Sequence, residues 1–513
     1  MYICIKRLIN FKSLPDTLRN KFWGIAIVLL LLFLLPRVFD LGRDISNSDA
    51  LRWHRRSDNF LQALKNRDFS KTFQRYHPGV TAMWSGALAE QVLYTYQQFS
   101  GEGVDSLENA DFYPVLHSLS KLVVVLVLAF CFVLQLFLIR KLFSARVAVI
   151  YGFLISTEPY FVGINRWFHL SSMEAFFSMT SLLLLFSFFS EKKLRHIILS
   201  GFFAGIGLLT KMTVFITVLF SVFYLVRGTF LKKIQFKVLV LYAAVAVVTF
   251  FVFFPALWVN PVYVFSSMYL AATNAVFEDI RGEVLTTDQK IFFYPLILFF
   301  KTSPLLLIAG MFSLLKTYKE KNRYVLSLVT YILFLTLILT YADQKIDRYS
   351  IAFFPSLVLL AAFTLSRTKN LVLILLMVGQ TVFFSWVSVI YYPVYSTYIN
   401  PMYGHKFVLN AGFYENSGEY FSNAAFYLNT KGRSVYTQVP NNVESLRPYY
   451  KGNLTWFQED AEYIVYSLDF DRKAFPAIRD CKIERYFGNS LYKPVAVYAC
   501  DNESLRTKSC KNR

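Results

Sequence analysis

The chain has 513 residues, 55% of them hydrophobic, 18% aromatic and only 17% charged, a balance that argues against a string of water-soluble domains and for a lipid-embedded protein. Its formal charge of +20 does not mark a nucleic-acid partner, because the basic residues lie in short clusters between apolar runs rather than along one soluble face. Mean hydropathy of +0.42 agrees.

A basic leader, "KRLINFKSLPDTLRNK", precedes the first apolar run, "WGIAIVLLLLFLLPRVF", and no small-residue cleavage site follows. The run therefore reads as a retained anchor rather than a removed signal peptide. Hydrocarbon about 30 Å thick takes about 20 helical residues. Apolar runs bounded by charge predict eleven spans, at 22–39, 117–139, 147–162, 172–190, 197–210, 212–226, 238–257, 291–315, 324–341, 349–366 and 370–391. With the N-terminus inside, the inner loops hold the basic clusters, among them Arg140, Lys141 and Arg146, then Lys192, Lys193 and Arg195, then Arg227, Lys232, Lys233 and Lys237. The short outer loops hold only Arg166, Lys211, Arg281, Lys290, Lys345 and Arg348. Lys and Arg favour the cytoplasmic side, which sets this orientation.

Residues 1–391 are thus expected to form a transmembrane domain, with 40–116 a long first extracytoplasmic loop. In that loop Phe60, Leu61 and Leu64 share a helical face, which predicts amphipathic helices on the membrane surface. Residues 392–513 are expected to form a small extracytoplasmic α/β domain. Asn416, with Glu419 three residues on, is a candidate N-cap there, and "RSVYTQV", "AEYIVYSL" and "KPVAVYAC" read as strands. Cys4 and Cys131 read as fillers. Cys481, Cys500 and Cys510 lie in the tail, where a Cys481–Cys500 bridge and free buried thiols are both open.

Ionisable residues beside lipid are expensive and need a reason. On the predicted outer side they gather around "SNSDALRWHRRSDNF" and "YHPGVTAMW", then "STEPYFVGINRWFHLSSMEAFF", "GLLTKM", "FFPALWVNP" and "YADQKIDRYSIAFFP". A carboxylate among several cations suits a reaction in which an acceptor hydroxyl loses a proton while a phosphate leaves. Arg supplies a bidentate fork for that phosphate, and aromatic residues suit a sugar or a lipid tail.

In their shared order, which runs over most of 22–391, these segments resemble the GT-C glycosyltransferases of the protein O-mannosyltransferase and lipid A aminoarabinose transferase type. The tail segment "AGFYENSGEYFSNAAFYLN" is similar to the stretch that opens the periplasmic domain of bacterial and archaeal members. The resemblance implies an α-helical polytopic protein of the GT-C type, and inverting transfer of a sugar from a polyprenyl-phosphate donor to a hydroxyl acceptor on protein, lipid or glycan. It places the protein in a bacterial or archaeal plasma membrane, with the active site and tail extracytoplasmic.

In that family the first loop carries an Asp-Glu pair; here Asp49 is followed by Ala50. A pattern like Arg-x-x-His-x-Asp is met by Arg166, His169 and then Ser171, with Glu174 nearly a helical turn later. The expected catalytic residues are Asp49 and Glu174. Arg348, Lys345, Arg56 and Arg166 are expected to bind the donor phosphate, and His77, His169 and Trp258 the substrates. Plainer roles stand beside these: a helix-start acid for Glu174, a turn histidine for His77, interfacial anchors for Lys345 and Arg348. No nucleotide phosphate loop and no compact His/Cys/Asp cluster occurs, so no cofactor is indicated, while a divalent ion bridging the donor phosphate stays open. A polyprenyl-lipid transporter or flippase, or a binding protein that has lost catalysis, remains the alternative; the transporter predicts mid-membrane charges, broken helices and internal repeats.

Overall fold

The computed structural model describes residues 16–44, 47–75, 78–101, 109–277, 285–316, 322–413, 416–468 and 481–500. Cys4, His77 and Cys510 lie outside the described residues.

Backbone amides in hydrocarbon must be satisfied within their own segment, so apolar runs fold as helices. Each predicted span coincides with helix. They are α1 (Asp16–Val38), α4 (Tyr113–Leu142), α5 (Ala145–Ser156) with α6 (Pro159–Asn165), α7 (Leu170–Glu191), α8 (Leu194–Thr210), α9 (Val214–Phe230) and α10 (Phe236–Val252). After the short α11 (Ala256–Val259), α12 (Pro261–Phe277) and α13 (Thr287–Ile291), the spans resume with α14 (Phe293–Lys301), α15 (Pro304–Lys316), α16 (Arg323–Tyr341), α17 (Phe354–Leu365) and α18 (Asn370–Tyr391). Among the described residues five segments are long and apolar enough to cross a membrane alone: α4, α7, α16, Asp347–Leu365 and α18. The chain is an α-helical polytopic membrane protein.

Two spans expected to be continuous are broken. Between α5 and α6 the axis bends by 70°, and α14 stops at Lys301 before Pro304 starts α15. In both cases a proline opens the second helix, where its missing N–H costs nothing. The buried Glu158 spans the two breaks, accepting from Ser303 N and from Ser303 Oγ, each at 2.7 Å. Gln380 of α18 donates to Thr157 O at 3.0 Å, so the groups freed by the breaks find partners inside the protein.

The first loop carries α2 (Asp49–Lys65) and α3 (Val80–Ser100). Phe60 and Leu61 share a face as expected, but that face is buried in the protein core rather than laid on lipid. The exposed apolar stripe lies instead on α3, where Trp84, Leu88, Val92, Tyr96 and Phe99 recur at helical spacing.

After α18 come α19 (His405–Asn410), α20 (Phe421–Asn429), α21 (Val443–Leu446) and a five-stranded sheet. Its strands are β1 (Tyr436–Gln438), β2 (Asn453–Thr455), β3 (Tyr463–Ser467), β4 (Cys481–Phe487) and β5 (Val495–Cys500), in the order β2-β1-β3-β5-β4. The expected strands are β1, β3 and β5. The edge strands β2 and β4 carry no buried residue, so they lack the alternation that marks a half-buried strand. Cys481 and Cys500 are disulfide-bonded across the β4–β5 pair.

Asn416 is not the N-cap expected of it, because Tyr420 with φ +68° precedes α20. Asn416 Oδ1 instead accepts from Gly418 N at 2.7 Å, and Glu419 accepts from Ser417 N at 2.6 Å and from Ser396 Oγ at 2.9 Å. Burial pushes the Glu419 carboxyl up to about 8 despite those donors. The loop Asn416–Glu419 lies against α2: Ser48 N donates to Ser417 O at 2.5 Å, and Arg55 pairs with Glu444 of α21 at 3.4 Å.

Gly79 has φ +56°, and a Cβ there would lie 2.1 Å from Cη2 of Trp53 on α2. Gly79→Ala should therefore cost about 1–3 kcal/mol through left-handed strain and overpacking, read as a lower thermal midpoint in detergent. An unchanged midpoint would show that Trp53 does not depend on this turn.

Candidate active site

Four elements end at one level of the bundle: the first turn of α2, the start of α7, the turn from α8 into α9, and the segment after α16. Between them lies a cavity of about 150 Å³ lined by Asp49, Arg52, Trp53, Arg56, Arg75, His169, Leu170, Lys211, Gln344, Ile346, Arg348 and Tyr349. Among the described residues its one carboxylate is Asp49, and five of the side chains around it are Arg or Lys.

Asp49 sits in the first turn of α2, where the helix dipole favours an anion. Its Oδ2 accepts from Arg348 Nη2 at 3.1 Å and lies 3.8 Å from His169 Nε2, while Oδ1 lies 3.7 Å from Arg52 Nη1. Burial alone would raise its proton affinity, but Arg348, His169, Arg52 and Arg56 outweigh burial and hold the carboxyl below its usual value. Arg56 lies over the Trp53 ring at 4.4 Å.

His169 caps α7. Its Nδ1 accepts from Ser171 N at 3.3 Å and lies 3.2 Å from Ser171 Oγ. Because Nδ1 is the acceptor, neutral His169 carries its proton on Nε2, which faces Asp49. Lys211 follows the end of α8, where a cation suits the dipole. It reaches Glu174 at 2.9 Å and lies 3.9 Å from the centre of the Tyr349 ring. Glu174 also accepts from Thr213 Oγ1.

Helix α2 is held from behind. His54 Nε2 and His117 Nδ1 are 2.9 Å apart, His117 Nε2 is 3.2 Å from Asp44 O, and Lys121 donates to Asp44 O at 2.7 Å. Burial, then Lys121, depress His54 to about 3, so it serves as a neutral hydrogen-bonding group.

The structure thus brings together Asp49, Arg56, His169 and Arg348. Glu174 stands behind Lys211, in an ion pair rather than on the cavity wall. Two expected phosphate ligands are elsewhere. Arg166 is buried and donates to Pro36 O at 2.9 Å and Phe39 O at 2.8 Å, closing the end of α1. Lys345 is buried and donates to Leu339 O at 3.2 Å, Thr340 O at 2.7 Å and Ala342 O, closing the end of α16. Trp258 packs edge-on against Phe69, 5.2 Å between ring centres, and its Nε1 donates to Phe251 O at 2.8 Å, away from the cavity. Arg52, Arg75 and Lys211 were not singled out as ligands from the sequence, although Lys211 was visible as a cation on the cation-poor side. Among the described residues no three His, Cys, Asp or Glu side chains converge as metal ligands.

Residues 117–258 match the family model described as dolichyl-phosphate-mannose-protein mannosyltransferase. No curated protein sequence matches the chain. Among solved structures, the chain is similar to ArnT from Cupriavidus metallidurans bound to undecaprenyl phosphate, with TM-score 0.51, 12% identity and coverage of 95% of this chain and 98% of that one. This shows the fold, which is the GT-C fold that the sequence resemblance implied. The archaeal oligosaccharyltransferase AglB from Archaeoglobus fulgidus, in complex with an inhibitory peptide and a dolichol-phosphate, is similar at a TM-score of 0.46 and 13% identity, over 94% of this chain and 75% of that one. The matched family model and these proteins are glycosyltransferases.

Arg166→Met and Lys345→Met should each lower the thermal midpoint in detergent, at about 1–3 kcal/mol for every buried carbonyl left unpaired. Arg348→Met, at the wall of a cavity, should shift it far less. Equal losses for all three would make Arg348 another helix-end brace.

Proposed function

We propose that the chain is an inverting glycosyltransferase that moves a sugar from a polyprenyl-phosphate donor to a hydroxyl acceptor on protein, lipid or glycan. The observation that carries the reading is the Asp49 cavity, where among the described residues one carboxylate, one imidazole and five cations converge at the level where the helices leave the apolar layer. The undecaprenyl phosphate bound to the ArnT structure of the same fold supports the donor class. The basic clusters at the opposite helix ends support an extracytoplasmic site, and the Cys481–Cys500 bridge fits a tail in an oxidising space. A bacterial or archaeal plasma membrane is the proposed location.

The acceptor oxygen attacks the anomeric carbon on the face opposite the phosphate. As the new C–O bond forms, the bond to the phosphate oxygen breaks, which inverts the centre. The acceptor proton passes to Asp49, and the electron pair leaves with the polyprenyl phosphate. Arg348, Arg56, Arg52, Arg75 and Lys211 are the groups placed to take up that charge, and Glu174 holds Lys211 in position. His169 Nε2–H orients Asp49 or a substrate hydroxyl. A divalent ion, if the reaction uses one, would sit at the donor phosphate and add charge neutralisation there.

In the free protein Asp49 is a weak base, because Arg348 and its neighbours favour the ionised form. A bound phosphate competes for those cations and adds a like charge, so donor binding raises the proton affinity of Asp49. The acidic limb of kcat, which reports the donor complex, should then lie at higher pH than the acidic limb of kcat/KM for the donor, which reports the free protein. Coincident limbs, or the reverse order, would separate Asp49 from the donor phosphate.

Asp49→Asn keeps size and hydrogen bonding but accepts no proton, so turnover should fall by about 10²–10⁴-fold with donor binding retained. Arg348→Lys keeps the charge and loses the fork, with a loss of roughly tenfold or more. Transfer from a radiolabelled polyprenyl-phosphate sugar in membranes reads both. An Asp49→Asn protein with normal turnover would overturn the assignment of the base.

A further inference from the structure

A second charged groove opens at the other end of α9, 17 residues and thus about 25 Å from the turn that holds Lys211. It has a volume of about 220 Å³ and lies between α9, the loop that follows it, and the start of α16. Arg227, Lys233 and Arg323 come from these three elements to one rim. Tyr224, Gly228 and Ser327 contribute to the lining, and Phe223, Leu231 and Leu326 run outward as exposed apolar side chains. A Cβ at Gly228 would come within 2.9 Å of the Phe189 ring, so glycine keeps this wall close.

Among the described residues the lining contains no carboxylate. Lys192, at the end of α7, adds a fourth cation: its Nζ donates to Lys233 O at 3.2 Å. Burial first, then Arg323 and Lys233, lower its proton affinity. The neighbouring acid, Glu191, is committed to Lys141 and, at 2.7 Å, to Lys193. Among the described residues Arg227 and Lys233 make no ion pair. Ordinary interfacial anchors spread their charges into water. Here cations from separate elements converge on one groove, a repulsive arrangement unless an anion sits among them.

We propose that this groove binds the phosphate headgroup of an anionic phospholipid, with Arg227, Lys233 and Arg323 around the phosphate and the acyl chains along Phe223, Leu231 and Leu326. An exposed apolar strip continuous with a cationic rim matches a lipid rather than a soluble anion. Basic pockets between membrane helices on the cation-rich side suit such headgroups. The site rests on the bundle and its charge distribution, and does not depend on glycosyl transfer.

Native mass spectrometry of the full-length protein in mixed micelles of phosphatidylglycerol and phosphatidylcholine tests it. The wild-type chain should retain phosphatidylglycerol over phosphatidylcholine by roughly tenfold or more, as three surface cations near a headgroup allow. Arg227→Gln/Lys233→Gln/Arg323→Gln should lose that preference. Arg323→Gln alone, the milder variant should the triple fail to fold, should lose part of it. A control of equal charge, Lys232→Gln/Lys237→Gln/Arg367→Gln, should keep it. No preference in the wild type, or an equal loss in the control, overturns the site. Displacement of phosphatidylglycerol by millimolar inorganic phosphate overturns its lipid form in favour of a free-phosphate site.

Discussion

A helix that ends or breaks beside hydrocarbon leaves carbonyls and amides that water cannot reach, and much of this structure follows from satisfying them. Arg37 donates to Phe33 O at 2.8 Å and Ile155 O at 3.0 Å, tying the end of α1 to that of α5. Arg166 closes the same end of α1, Lys345 closes α16, and Glu158 joins the breaks before α6 and α15. Among the described residues these are four of the most buried ionisable side chains, and each is committed to backbone or to a helix break. The Asp49 cavity is built from the charges that remain once the helix ends are served.

The tail takes part in this arrangement. Ser48, immediately before Asp49, gives its amide to Ser417 of the Asn416–Glu419 loop. Gly418, at φ +115°, comes so close to Ser445 that a Cβ would lie 2.0 Å from its Oγ, which lets the loop pass between α2 and α21. Ala50 is fully buried in a cluster with Leu51, Tyr113, Phe421, Leu446 and Tyr449. The position where the resembled family has glutamate is therefore part of the joint between α2 and the tail in this chain. An acid there would have to be buried without water, at a cost of several kcal/mol unless paired. Ala50 trades a second carboxylate for a packed joint that fixes where Asp49 points.

The spans were legible because their signal is long and redundant: about 20 apolar residues bounded by charge admit few other structures. The breaks at Pro159 and Pro304 were less so, since each interrupts a run that stays apolar on both sides. That Asp49, Arg56, His169 and Arg348 would share one cavity was readable from residue type, expected side of the membrane and order along the chain. Arg166 and Lys345 carried the same signals and went to different work. Whether a cation meets a ligand or a helix end depends on side-chain direction, which periodicity does not report. The edge strands β2 and β4 were missed for a related reason, having no buried face to leave a pattern.

Asp49 and Arg348 also bind the reaction's two halves together on the proposed reading. One guanidinium serves both the carboxylate and the place where the donor phosphate is expected, 3.1 Å from the base. A carboxylate paired with Arg is ionised but reluctant to take a proton, whereas one whose partner has turned to a phosphate is the stronger base. Base strength then appears only after donor has bound. On that reading, a hydroxyl or water that enters ahead of the donor meets an Asp49 still paired with Arg348 and no electrophile. On that reading, sharing one cation makes proton transfer wait for the donor, and the ion pair between α2 and the segment after α16 is the donor-free form of the site.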